Sequence, residues 1–149
     1  MLKGMADLFQ FPIDHIGIAV PHLDDALLYH QRIFGGSVVD REVLADRGLE
    51  IAFLACSNTR LEFLAPLNLE DQTNVIARFL KKRGAGMHHI CYEVPRLEDE
   101  LARLAAAGVA LIDTVPRPGA QHSRIAFIMP SKQDGLLVEL CDYPQRTQP

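Results

Sequence analysis

Residues 15–27 read His-Ile-Gly-Ile-Ala-Val-Pro-His-Leu-Asp-Asp-Ala-Leu, and residues 89–101 read His-Ile-Cys-Tyr-Glu-Val-Pro-Arg-Leu-Glu-Asp-Glu-Leu. Both stretches start with a His-Ile pair and continue through Val-Pro to a leucine, an acidic residue and an aspartate. The second stretch begins 74 positions after the first, at residue 89 instead of 15. Two later segments, Ile-Ala-Phe-Leu at 51–54 and Ile-Ala-Phe-Ile at 125–128, keep the same spacing. We infer that the chain is a tandem duplication.

Each copy predicts one βαβββ module. Alternating β-branched residues predict a first strand, a proline ends that strand, and an acidic first turn opens a helix before three more strands. Between the copies, residues 74–83 have helical periodicity, and Gly84-Ala85-Gly86 forms a hinge. The predicted strands lie near residues 14–20, 37–44, 49–56, 60–65, 88–94, 110–115, 124–130 and 136–142.

The composition is that of an ordinary globular protein, with 149 residues, 48% hydrophobic and 23% charged. The net charge of −4 argues against nucleic acid as the main partner. No apolar run approaches the roughly 20 residues of a membrane helix, and we expect no membrane association. The odd set of Cys56, Cys91 and Cys141 predicts reduced thiols, so a cytoplasmic protein is expected.

Four polar residues occupy matching positions in the two copies. His15 and His89 open the repeated stretches, and Glu62 and Glu139 interrupt apolar strands near the end of each copy. A buried carboxylate is unfavourable unless a cation or a hydrogen-bond donor compensates it. Two imidazoles and two carboxylates suit one divalent ion per chain, such as Zn, Ni, Co, Mn or Fe(II), with coordination positions left for water or substrate. A hydrogen-bonded or ion-pair cluster without metal is the alternative.

The other histidines carry weaker signals. His88 should point to the face opposite His89, and we interpret it as structural. His22 and His30 are expected at the surface of a helix. His122 lies in a proline-rich loop that could border a cleft, although a solvated loop is the simpler interpretation.

From Ile13 to Tyr143 the chain resembles the vicinal oxygen chelate superfamily, which includes glyoxalase I, extradiol dioxygenases, resistance proteins and methylmalonyl-CoA epimerase. The resemblance implies paired βαβββ modules, a divalent metal at the four positions above, and usually a homodimer. This chain departs from the epimerases in two places. They commonly have Gln-Gly-Val where this chain has Arg47-Gly48-Leu49, and a small glycine-containing turn where this chain has Gln121-His122-Ser123. The segments most similar to methylmalonyl-CoA epimerase are residues 14–20, 82–90, 116–120, 125–130 and 135–140.

We therefore predict an α+β fold in which two tandem βαβββ modules form an open, curled mixed sheet around a metal cleft. Residues 1–149 are expected to form a single domain of the vicinal oxygen chelate type. Within it, residues 13–67 form the first module, residues 68–86 the linking helix and hinge, and residues 87–143 the second module.

The epimerase resemblance implies interconversion of (R)- and (S)-methylmalonyl-CoA, an acyl-CoA thioester, through a metal-stabilised enolate. Glu139 is the first candidate for one acid–base role. Glu50 is a weak candidate for the second role, because counting from Gly48 places Ile51 where one epimerase variant has a glutamate. A cluster of basic residues could contact a coenzyme A phosphate, or could simply be solvated: Lys81, Lys82, Arg83, Arg117 and Arg124.

Two other functions stay open. One is a glyoxalase I-type lactoylglutathione lyase, or a related thiol-adduct isomerase, with the same metal and glutamate. The other, from a different class, is a non-catalytic small-molecule binding protein. An extradiol dioxygenase fits less well, since its sites usually contain two histidines, one glutamate and iron.

Overall fold

The computed structural model describes residues 11–146 and divides into two compact units. One unit comprises residues 15–89, and the described parts of the other are residues 11–14 and 90–146. Parallel and antiparallel strand pairs occur in each unit, which confirms the α+β class with mixed sheet. Within residues 11–146, no helix is both long and apolar enough to cross a membrane.

The first unit follows the predicted βαβββ order. Strand β1 (Ile13–Ala19) is parallel to β4 (Arg60–Pro66), and β3 (Leu49–Ala55) is antiparallel to both β4 and β2 (Ser37–Leu44). Helix α1 (Leu23–Phe34) covers one face of this sheet. The observed order across the sheet is β2-β3-β4-β1.

The first two turns of helix α1 carry the residues that are buried in the core. Leu23 and Leu27 are buried against Leu54 and Phe63, whereas Ile33 is 58% exposed. Ile33 lies in the last turn of α1, beyond the residues of the helix that contact the core. The chain leaves the helix at Gly35, whose φ of 77° favours glycine.

The second unit repeats this layout with strand order β5-β8-β7-β6. Strand β5 (Gly86–Glu93) enters this unit at Ile90, and the elements that follow it are α3 (Leu97–Ala106), β6 (Arg117–Pro118), β7 (Arg124–Ile128) and β8 (Val138–Asp142). Strand β5 is parallel to β8, as β1 is to β4. Leu97 and Leu101 of α3 pack on Ala126 and Leu140.

The strand predicted at 110–115 does not form. Only Leu111 makes an isolated bridge, to Ile128, and the regular pairing is reduced to the two residues of β6. The side chain of Asp113 accepts the Phe127 N–H at 2.8 Å and so replaces a backbone carbonyl in the ladder. The prolines at 116 and 118 have no N–H to donate, which shortens the strand further.

Helix α2 (Val75–Arg83) confirms the helix predicted between the copies. Asn74 caps it, because its side-chain oxygen accepts the N–H groups of Ile76 and Ala77, both at 3.0 Å. The amide nitrogen of the same side chain donates to the carbonyls of Arg47 and Gly48. Asn74 is buried and therefore ties α2 to the turn that precedes β3.

Replacing Asn74 with alanine should lower the free energy of unfolding by about 2 kcal/mol, because the helix cap and two part-buried hydrogen bonds to carbonyl groups are lost together. Urea denaturation measures the change. Asn58→Ala, in the exposed turn between β3 and β4, is the matched control and should change stability by less than about 0.5 kcal/mol. Equal losses in the two variants would contradict the assigned role.

Candidate metal centre

Three of the four predicted ligands meet within the first unit. His15 Nε2 lies 3.2 Å from His89 Nε2 and 3.2 Å from Glu62 Oε2. The third side of the triangle, from His89 Nε2 to Glu62 Oε2, measures 3.4 Å. All three side chains are buried, with 5%, 1% and 6% of His15, His89 and Glu62 exposed. Three of the residues that the sequence predicted as ligands therefore lie together in the structure.

Strand register explains how Glu62 reaches His15. Parallel pairing of β1 and β4 sets Glu62 beside Gly17, two residues beyond His15 on the same face. Antiparallel pairing of β3 and β4 sets Phe53 on the other side of Glu62. The Phe53 ring meets the His15 ring edge-on, with centroids 5.5 Å apart. His15 is therefore held between an aromatic ring and the carboxylate.

Gly17 leaves the space that the His89 ring occupies. A Cβ atom at residue 17 would lie 2.1 Å from Cε1 and 2.4 Å from Nδ1 of His89. Such distances are far below van der Waals contact, and the obstacle is a buried ring instead of a flexible chain end. Any larger residue at position 17 would push His89 away from its two partners.

The electrostatics of Glu62 favour the carboxylate form. Burial alone would raise the pKa of Glu62, but hydrogen bonds with His15 and His89 and their charges outweigh it. The net effect is a pKa well below the usual range. Glu62 is therefore an anion that points at two imidazole nitrogens.

A divalent ion fits this donor set. Metal–nitrogen and metal–oxygen bonds of about 2.1 Å separate neighbouring ligand atoms by roughly 3.0 Å in octahedral and 3.4 Å in tetrahedral geometry. The three measured separations, 3.2, 3.2 and 3.4 Å, lie in this range. The nitrogen and oxygen donors are those of a borderline cation, and the residues present therefore form a possible His/Glu metal site.

Glu139 occupies the equivalent position in the second unit. It pairs with Cys91 of β5 and Phe127 of β7, as Glu62 pairs with Gly17 and Phe53 in the first unit. It is 5% exposed. Its place as the fourth ligand stays a prediction.

Residues 14–127 match the model of the Glyoxalase/Bleomycin resistance protein/Dioxygenase superfamily. The chain belongs to this superfamily. The uncharacterized protein YqjC of Bacillus subtilis is 36% identical over 130 residues, which are 87% of this chain and 91% of that protein. The ethylmalonyl-CoA/methylmalonyl-CoA epimerase of Cereibacter sphaeroides is 35% identical over 130 residues, which are 86% of this chain and 95% of that protein. A solved methylmalonyl-CoA epimerase in complex with methylmalonyl-CoA and NH4+ aligns with a TM-score of 0.83 at 30% identity, over 93% of this chain and 99% of that one.

Glu50, the second acid–base candidate of the sequence analysis, does not lie at the candidate metal centre. It lies on the face of β3 opposite to Ile51 and Phe53, since neighbouring strand residues alternate. Its carboxylate accepts two hydrogen bonds from Arg41, at 2.7 and 2.9 Å, and Arg41 also pairs with Asp24 of α1. Glu50 is thus part of an ion-pair network on the helix side of the sheet.

His88 contacts the centre, although alternation predicted only a structural role on the other face. Its Nδ1 lies 2.9 Å from the Nδ1 of His89. Burial, and next the charge of His89, lower the pKa of His88 to about 4, partly opposed by Glu62. No sequence signal distinguishes this contact, because strand alternation gives the face of a residue and not the reach of its ring.

The other basic residues that the sequence analysis singled out form ion pairs or are exposed to solvent. Arg124 pairs with Asp142 and Glu98, and Arg117 pairs with Asp113 at 3.2 Å. The basic residues that end α2 are exposed: Lys81, Lys82 and Arg83. His22 and His122 are exposed, as expected for surface positions.

The surface position expected for His30 is wrong. Its ring is half-buried against Phe34 and Phe63, with centroids 5.0 and 5.7 Å away.

All three cysteines are free thiols, as predicted; Cys91 and Cys141 are buried, and Cys56 is exposed. Burial, reinforced by a hydrogen bond with Cys141, raises the pKa of Cys91.

Gly17→Ala should abolish tight metal binding while the protein still folds, because the added methyl group displaces His89 from its two partners. We expect the affinity for Co²⁺ to fall by roughly 100-fold or more. Competition against a colorimetric chelator measures it. Gly86→Ala is the matched control, since a Cβ there meets nothing within 4 Å. Unchanged Co²⁺ affinity in Gly17→Ala would exclude a site at His89.

Proposed function

We propose that this chain is a metal-dependent epimerase that interconverts (R)- and (S)-methylmalonyl-CoA. The observation that carries the proposal is the buried triangle of His15, Glu62 and His89, whose spacing suits one divalent ion. Relatives that span nearly the whole chain support it, since they include epimerases of methylmalonyl-CoA at about a third identity.

In this proposal His15, Glu62, His89 and Glu139 hold one divalent ion per chain, such as Co, Zn, Ni or Mn. Bound there, the ion would supply positive charge that attracts an anionic substrate and stabilises negative charge as it develops. The chain itself must move the proton at C2. Glu139, a buried carboxylate, is the group we assign to one of the two transfers.

Inversion at C2 requires proton removal on one side of the carbon and return on the other. The face of β3 that lies beside Glu62 cannot supply the second group, because Leu49, Ile51 and Phe53 are all apolar and buried. Glu50 points away and is engaged by Arg41. We therefore propose that the second acid–base is a group outside β3.

The first test combines metal content with proton exchange. Protein purified without chelator should carry about one ion per chain, and His89→Ala should carry little, because one of the ligands is removed. The metal-loaded wild type should exchange the C2 proton of methylmalonyl-CoA with D2O, followed by NMR, whereas His89→Ala should not. His22→Ala, at an exposed histidine, is the control for both readouts. Absence of metal in the wild type and in the control would contradict the proposal.

Glu50→Gln should leave the rate of C2 exchange within about twofold of the wild type, because only a solvated ion pair with Arg41 changes. The initial rate in D2O measures this. A loss of more than about tenfold, with metal content unchanged, would return Glu50 to the catalytic residues.

A second candidate is a glyoxalase I-type lyase or a related thiol-adduct isomerase, and the apolar face of β3 favours it. Such a reaction moves a proton between adjacent carbons, which one carboxylate can do on one side of the substrate. Bound metal without C2 exchange, together with turnover of the glutathione hemithioacetal of methylglyoxal, would select this candidate. A metal-free protein that turns over neither substrate would instead indicate a small-molecule binding protein.

Two properties implied by the resemblance stay proposals. We propose that the chain forms a homodimer and acts in the cytoplasm on a soluble acyl-CoA thioester. The solved epimerase complex with methylmalonyl-CoA supports the class of substrate.

A further inference from the structure

His88 and His89 form a direct contact between two ring nitrogens. Their Nδ1 atoms are 2.9 Å apart, and the rings stand at 88° with centroids separated by 5.2 Å. A hydrogen bond between two imidazole nitrogens needs one protonated nitrogen and one with a free lone pair. The pair therefore couples the proton position on one ring to that on the other.

The opposite edge of the His89 ring shows which nitrogen must be unprotonated when a cation is bound. His89 Nε2 faces His15 Nε2 at 3.2 Å and Glu62 Oε2 at 3.4 Å, at the triangle that suits a cation. A nitrogen that binds a cation there must offer a lone pair, and the single ring proton of a neutral His89 then lies on Nδ1. With a cation bound, Nδ1–H of His89 would donate to Nδ1 of His88 across the 2.9 Å contact.

The His88 ring is itself held in place by α2. Phe79 packs edge-on against it, with centroids 5.0 Å apart at 76°. Arg83, one turn further along α2, lies over the Phe79 ring at 5.7 Å. The acceptor nitrogen is therefore fixed by packing of the linking helix, and does not depend on a mobile surface chain.

We propose that His88 is a positioning residue that accepts the Nδ1–H of His89 and so favours the tautomer whose Nε2 lone pair can bind a cation at the candidate metal centre. The inference rests on the metal centre of the proposed function. Without His88, the His89 proton would be free to occupy Nε2, where it blocks a cation. Residues that fix the tautomer of a metal-binding histidine typically change metal affinity by roughly 10- to 100-fold.

The test compares two replacements of His88. Phenylalanine keeps a ring against Phe79 but removes the acceptor. Asparagine offers a carbonyl oxygen near the position of the lost Nδ1, and therefore restores the acceptor. His22→Phe, at an exposed histidine with no side-chain capping bond, controls for the change from histidine to phenylalanine.

Two readouts are measured, namely Co²⁺ affinity by chelator competition and the ¹⁵N shifts of the His88 and His89 rings in Zn²⁺-loaded protein. In the loaded wild type we expect a protonated Nδ1 on His89 and an accepting Nδ1 on His88, with roughly 10- to 100-fold weaker Co²⁺ binding in His88→Phe and recovery in His88→Asn. A protonated Nδ1 on His88 in the loaded wild type, or wild-type Co²⁺ affinity in His88→Phe, would overturn the proposal while leaving the metal centre in place. A wild type that binds neither ion would refute the proposed function and this inference together.

Discussion

An ionised carboxylate buried between two imidazole rings is the constraint on which the first unit depends. Removing the Glu62 carboxylate from water is unfavourable by several kcal/mol unless its surroundings compensate it. Here the partners are His15 and His89, and three atoms with lone pairs face one another across 3.2 to 3.4 Å. At most two protons can satisfy such a triangle, whereas one divalent cation satisfies all three atoms at once. A cation therefore satisfies the lone pairs of these three atoms better than protons alone do.

The duplication explains how a small chain builds this arrangement. Each copy sets its glutamate beside the residue two positions beyond its histidine, so that Gly17 pairs with Glu62 and Cys91 pairs with Glu139. The copies then diverge at that position. Gly17 has no side chain and leaves room for the His89 ring, whereas Cys91 fills its place with a buried thiol. One strand register thus places a glutamate at the same point of each unit, beside a glycine in the first and beside a buried thiol in the second.

Periodicity and repetition predicted most of the fold. Strands β1 to β4, helices α1 to α3 and the meeting of His15, Glu62 and His89 all follow from alternation and from matching positions in the two copies. The strand expected at 110–115 failed because the Asp113 side chain takes over a ladder hydrogen bond, which no periodicity shows. The roles of Gly17 and His88 could not be predicted either, since they depend on distances between side chains of separate strands or on the reach of a ring.

The most direct measurement is an anomalous-scattering crystal structure of the Co²⁺-loaded protein, collected on both sides of the cobalt absorption edge. We predict one strong peak per chain, about 2.1 Å from Nε2 of His15, Nε2 of His89 and a carboxylate oxygen of Glu62. The same map tests Glu139 as the fourth ligand. A map with no peak at this triangle, at saturating Co²⁺, would contradict the metal centre and with it the proposed chemistry.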